Sequence, residues 1–257
     1  MTGLPRPSLT HRAEDGARLG TLLWRFGPGW RMISSAMLGG GIGPRDWVLN
    51  AQVASGYARM DPVEHMASLG PEGPGVGMMT AAPVERFRVA SDGGAEAVAT
   101  VGLGVPTWAA APEGAPDHGL PTVPEPDRGP AREAAAGRDA PERGPEAARE
   151  ALGAGDAGAC VPRPGTVNIL VAVPVAFCDA ALVNAVMTVT EAKTQALLEA
   201  GFPCTGTASD AVCVAVRREG TAEPFGGPRS VWGARIARAV HRAVLDGARD
   251  WGERATA

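Results

Sequence analysis

Apolar residues in this chain come in short runs, and their period shifts from two to about 3.6 residues along the sequence. Residues 166–173 are apolar at almost every position, the pattern of a strand covered on both faces. Residues 211–216 repeat it, and 75–80 form a third buried run that ends at polar Thr80. A shorter strand over 31–36 leads into the glycines Gly39, Gly40 and Gly41, with an apolar run at 47–50 behind them. Residues 87–90 and 97–103 read as two more strands. Two stretches carry the helical period instead. Asp179 can cap a helix running to about Ala200, which Gly201 ends. Ser230 can cap a last helix to about Trp251, with Trp232, Ile236, Val240 and Val244 as its apolar stripe and Arg235, Arg238, Arg242 and Arg249 largely off it.

Strands and helices mix on both sides of residues 112–159. That segment is Pro, Ala, Gly, Glu, Arg and Asp with almost no large apolar residue, and it cannot bury enough surface to order itself. We expect an α/β protein. A single domain with a mixed sheet and packed helices is formed by 20–111 and 160–252, interrupted by the low-complexity insert. Residues 1–19 read as a polar N-terminal tail, without the apolar core of a secretory signal.

Composition narrows the function classes. The net charge is -4 and the arginines are dispersed, so no basic patch points to nucleic acid. No apolar run is long enough to span a membrane. The four cysteines, Cys160, Cys178, Cys204 and Cys213, show neither a CxxC pair nor zinc spacing, and read as reduced thiols of a cytoplasmic protein. His11, His65, His118 and His241 fit no metal-ligand spacing, so neither a metal nor another cofactor is expected. The oligomeric state is left open.

Against a drift toward Ala, Gly, Pro and Arg, some residue types are conspicuously scarce. Of 24 basic residues only Lys193 is a lysine, and the asparagines are Asn50, Asn168 and Asn184. Over 179–200, Leu182, Val186, Val189 and Leu197 share one helix face. Asn184, Thr188, Glu191, Gln195 and Glu199 form a narrow polar stripe, and Lys193 lies on the apolar side. A lysine there must snorkel, find a partner or shift its pKa. Asp210, in a polar turn before a buried strand, can pair with it or act as a carboxylate base. The bland alternative is an Asp that bonds its own turn. Ser34 and Ser35 before three glycines suit a nucleophile beside an oxyanion loop, although serines before glycines are common in turns. The glycines match neither phosphate-loop pattern. Asn50, Thr80 and Asn168 suit partners for amide groups or caps for strands.

Seven ordered motifs together resemble the adenosylcobinamide amidohydrolase family. They are Ser34-Ser35-Ala36 with Gly39-Gly40-Gly41, the run 47–53, the run 75–81, the run 100–103, the run 165–169, Thr190-Glu191-Ala192-Lys193, and Thr205-Gly206-Thr207-Ala208-Ser209-Asp210. They cover about 20–110 and 164–244. Ser209 stands where the family has Thr, which keeps a hydroxyl. The resemblance implies hydrolysis of the amide that joins aminopropanol to the corrin ring of adenosylcobinamide. The product would be adenosylcobyric acid, in corrinoid salvage.

Residue roles then follow from what amide hydrolysis needs. In one scheme Lys193 is base and later acid, Ser35 is nucleophile, and the amides of Gly39, Gly40 and Gly41 stabilise the oxyanion. In the other, Glu191 or Asp210 activates water and Lys193 is the electrophile. Asn50, Asn168 and Asn184 would orient corrinoid amides, with Ser34, Thr80, Thr205 and Thr207 as further substrate contacts. The rival class is a non-catalytic corrinoid-binding or trafficking module. A nucleotide-handling transferase comes third.

Overall fold

The computed structural model describes residues 3–113 and 165–255. Two β-sheets form its centre. The first has the order β1-β2-β5-β6, made of β1 (Ser8–Glu14), β2 (Ala17–Arg25), β5 (Trp47–Gln52) and β6 (Gly75–Thr80). The second has the order β4-β3-β10-β9-β8-β7. Its strands are β3 (Trp30–Ser34), β4 (Gly41–Pro44), β7 (Arg88–Asp92), β8 (Ala95–Val101), β9 (Val167–Phe177) and β10 (Ala211–Arg217), and short β11 (Ala222–Glu223) pairs in parallel with the end of β9. β5 with β6 and β9 with β10 are parallel, and β1–β2, β2–β5, β3–β4, β3–β10, β7–β8 and β8–β9 are antiparallel. The helices are α1 (Pro62–Leu69), α2 (Asp179–Glu199) and α3 (Val231–Ala255).

The period-two alternation of the strands explains the layering. Val167, Ile169, Val171 and Val173 of β9 pack under α2 and α3, together with Val212, Val214 and Val216 of β10. Leu170, Ala172, Ala211 and Cys213 point the other way, against Leu22, Trp24, Val48 and Met78 of the first sheet. α1 lies on that sheet's outer face, where Met66 meets Trp47, Leu49 and Ala51. β9 is thus apolar on both faces because both are covered, as its unbroken run requires.

Two expectations are corrected. Residues 1–19 are not a tail among the described residues: Ser8–Glu14 pairs with β2 along its whole length. Its residues are mostly exposed and polar, so no apolar alternation betrayed an edge strand. The cap of α2 is Cys178, whose Sγ accepts the Ala181 amide at 3.4 Å. Asp179 instead meets Arg31 at 2.5 Å. Ser230 does cap α3, its Oγ accepting from the Gly233 amide at 3.0 Å. Residues 114–159 of the expected insert, with His118 among them, and Cys160 lie outside the described residues. No helix among the described residues is long and apolar enough to cross a membrane.

Candidate functional site

Residues at the ends of strands from both sheets, with their connecting loops, line a cavity of about 490 Å³. Its wall carries Ser35, Tyr57, Thr80, Thr166, Ser209 and Asp210, with Met37, Val53 and Met79 as apolar lining. The elements explain why these residues meet. β3 ends at Ser34, so Ser35 turns off the sheet where β10 begins. Its amide donates to the Val212 carbonyl and its Oγ accepts from the Val212 amide, both at 3.0 Å. Ser35 is exposed in the cavity, whereas Ser34 is buried and accepts the Ala36 amide on its Oγ. Thr80 closes β6 and accepts the Ala82 amide. Thr166 and Ser209 share a hydroxyl hydrogen bond of 2.8 Å across the wall.

Lys193 finds the partner its position demands. Nζ donates to Asp210 Oδ2 at 2.5 Å, and both side chains are about nine-tenths buried, at 9% and 11% exposure. Asp210 also accepts from the Val167 amide, the Thr207 amide and the Thr207 hydroxyl. Four donors therefore converge on two carboxylate oxygens, which leaves little acceptor capacity for a proton from water. Gly206, at φ +155°, crosses this pair so closely that any Cβ would strike Asp210 Oδ2 and Lys193 Nζ. Lys193 stands behind the wall that Asp210 forms. Thr205 ties the same loop to 107–109, accepting from the Ala109 amide and donating to the Thr107 carbonyl.

Several expected site residues lie elsewhere. Gly39 and Gly41, both at positive φ, bracket the turn between β3 and β4, and the carbonyls of Gly39 and Gly40 accept from Arg45. None of the three glycines lines the cavity. Gly39 is required for another reason, because a Cβ there would collide with the Gly75 carbonyl. Glu191 is exposed in a separate groove with Gln195, Arg238 and His241, not in the cavity of Ser35. Asn184 is half-buried beside Gly227 on α2. Thr188, placed on the polar stripe by periodicity, is buried and donates to the Gly226 carbonyl.

Asn50 and Asn168 sit between the sheets, 2% and 1% exposed. Both occupy even positions of their strands, on the face turned toward the opposite sheet. Asn168 Nδ2 donates to Asn50 Oδ1 and to the Met79 carbonyl, and Asn50 Nδ2 donates to Thr100 Oγ1. They hold the backbone of the cavity wall from behind.

Sequence reasoning missed Tyr57, His65 and Glu14. Tyr57 lines the cavity, and its Oη lies 2.9 Å from Nδ1 of His65 in α1. His65 Nε2 lies 3.1 Å from Glu14 Oε1 in β1. Burial pushes the Tyr57 phenol up, with Asp61 and Glu14 adding to the rise and Arg59 opposing it. Burial also pushes Glu14 up, but the Arg12 hydrogen bond and the charges of Arg12, His65 and Arg59 outweigh it, leaving the carboxyl below its ordinary value. The chain's sole tyrosine was the available signal. The described cysteines, Cys178, Cys204 and Cys213, are free thiols, and burial pushes Cys213 up to about 12. Cys204 and Cys213 are buried in the packing, and Cys178 serves as the cap of α2.

Comparison with known proteins bears on this cavity. A family model described as adenosylcobinamide amidohydrolase matches residues 6–256. A protein of that name from Halobacterium salinarum is 46% identical over 82 residues, 32% of this chain and 35% of the relative. Another from Methanosarcina mazei is 33% identical over 94 residues, covering 33% of this chain and 47% of that protein. An uncharacterised protein of Methanocaldococcus jannaschii is 34% identical over 99 residues, 35% of this chain and 38% of the relative. The aligned segments span less than half the length of each relative.

Proposed function

This chain belongs to the adenosylcobinamide amidohydrolase family, and on that premise we propose that it hydrolyses the amide joining aminopropanol to the corrin ring. Adenosylcobyric acid and free aminopropanol are the products, in corrinoid salvage in the cytoplasm. The observation that carries this reading is the cavity with Ser35 exposed on its wall and a buried Lys193–Asp210 pair directly behind. A cavity of about 490 Å³ suits part of a ligand this large, since pockets of roughly 300–1,000 Å³ already enclose drug-sized molecules. The aminopropanol arm therefore enters, and the macrocycle stays at the mouth beside exposed Met37.

Ser35 is the nucleophile in this reading. Its Oγ accepts one backbone amide, which orients the oxygen and leaves its proton free to go to a base. Lys193 acts through Asp210 and not as the base, because its ammonium is engaged with a carboxylate off the cavity surface. Asp210 in turn fixes the 205–210 loop and the start of β9. Hydroxyls of Thr80, Thr166 and Ser209 provide the polar contacts for the arm.

Incubation of the purified chain with adenosylcobinamide, followed by mass spectrometry, tests the reading. Adenosylcobyric acid and aminopropanol are expected. Ser35→Ala should lower kcat by about 10³-fold or more, as loss of a covalent nucleophile does. A folded chain that binds the corrinoid and leaves it intact would instead establish a binding module.

A further inference from the structure

The proposed hydrolysis moves two protons, one off the attacking hydroxyl and one onto the departing amine. Among the described residues lining the cavity, only Asp210 and Tyr57 have acidic or basic side chains. Asp210 is occupied by its four donors. Tyr57 is backed differently. Its ring stacks on His65, centroids 5.6 Å apart and 15° from parallel, with Oη on Nδ1. Glu14 at Nε2 selects the tautomer with the proton on Nε2, which frees Nδ1 to accept the phenol proton. Glu14 is itself anchored, with Oε2 accepting from Arg12 Nε at 2.6 Å. Arg12 donates onward to Thr21 Oγ1 and the Gln52 carbonyl. The order hydroxyl, imidazole, carboxylate is that of a hydrolytic triad, with a phenol as the outer group.

We propose that Tyr57 is a catalytic acid–base of this cavity and that His65 and Glu14 are the positioning residues that store its proton. The inference rests on the amide-hydrolase reading. As Ser35 Oγ bonds to the carbonyl carbon, its proton passes to the Tyr57 oxygen and the phenol proton passes to His65 Nδ1. Glu14 balances the imidazolium. When the C–N bond breaks, its electron pair stays on nitrogen, which takes a proton from Tyr57, and His65 returns its proton to the phenol. Water then attacks the acyl ester by the same two transfers and regenerates Ser35. Protons and electrons balance with water as the one added reactant, the co-substrate of any hydrolysis. The other charged groups around Tyr57 are Arg59 and Asp61, paired with each other, and Arg12.

Kinetics of adenosylcobinamide hydrolysis by the full chain test this. Tyr57→Phe keeps the stacked ring, and kcat should fall roughly 10²–10⁴-fold, the usual share of general acid–base catalysis, with KM little changed. His65→Gln, which leaves the phenol without its proton store, should likewise lower kcat with KM little changed, a split that lost packing alone would not produce. Tyr57→Phe within about threefold of wild-type kcat, far below that share, would overturn the assignment. So would a His65→Gln protein that melts earlier but keeps the wild-type kcat and KM, since that is how a purely structural residue behaves. An inactive wild-type chain would remove the hydrolase reading itself, which separates the two failures.

Discussion

Lys193 illustrates what one residue demands of its surroundings. Its place on an apolar helix face required a partner, and Asp210 was a visible choice in the turn that follows. The two meet at 2.5 Å with little exposure. The loss of one partner leaves the other charge buried, which costs far more than the pair contributes. Lys193→Met should therefore destabilise the protein by about 3–5 kcal/mol, measured by urea unfolding. Lys193→Met combined with Asp210→Asn should recover part of that loss. A single variant as stable as wild type would show that the pair does not organise the 205–210 loop. The residues that stayed hidden were those whose neighbours come from distant segments. Nothing local to His65 announces Glu14, fifty-one positions earlier, because that contact exists only once β1 has joined the sheet.

At the level of elements, legibility followed burial with one exception, β2, which is buried over most of its length but whose run was not read as a strand. β6, β9 and β10 are covered on both faces and read directly as apolar runs, and α2 and α3 carry long helical patterns. β1 is a polar edge strand, β4 is glycine- and proline-rich, and α1 has eight residues. Such elements are specified by what they join and not by their own periodicity. The joint between α3 and the β7–β8 hairpin shows how charge supplements apolar packing. Asp92 accepts from Arg238 and Arg242, and its carboxyl is held down to about 2, chiefly by the Arg238 hydrogen bond against the opposing effect of burial. The folded-state pKa lies below the ordinary 3.8, so this contribution is present above pH 3.8 and disappears as the pH falls through about 2. Asp92→Asn should lower the melting temperature at neutral pH and reduce its fall over that acid window. Identical melting curves for the two proteins across the window would exclude the clamp.

For the whole molecule, the cavity depends on how the sheets sit on each other, since its walls come from both. The packing between them is mostly Ala, Val, Leu, Met and Trp, which is non-directional and permits sliding. The amide cluster of Asn50, Thr100 and Asn168 adds direction, and it also reaches the cavity through the Met79 carbonyl. Asn50→Leu and Asn168→Leu should each cost about 1–3 kcal/mol, the penalty for stranding buried polar partners. Their effects on turnover should differ. Asn50→Leu keeps the donor to the Met79 carbonyl, whereas Asn168→Leu removes it and releases part of the cavity wall. At matched stability, checked by chemical denaturation, Asn168→Leu should then lower kcat/KM for adenosylcobinamide several-fold more than Asn50→Leu, because small misplacements of a site are costly to reaction. Equal activity losses in the two variants would mean that the cluster serves sheet packing alone and that the cavity keeps its shape by other contacts.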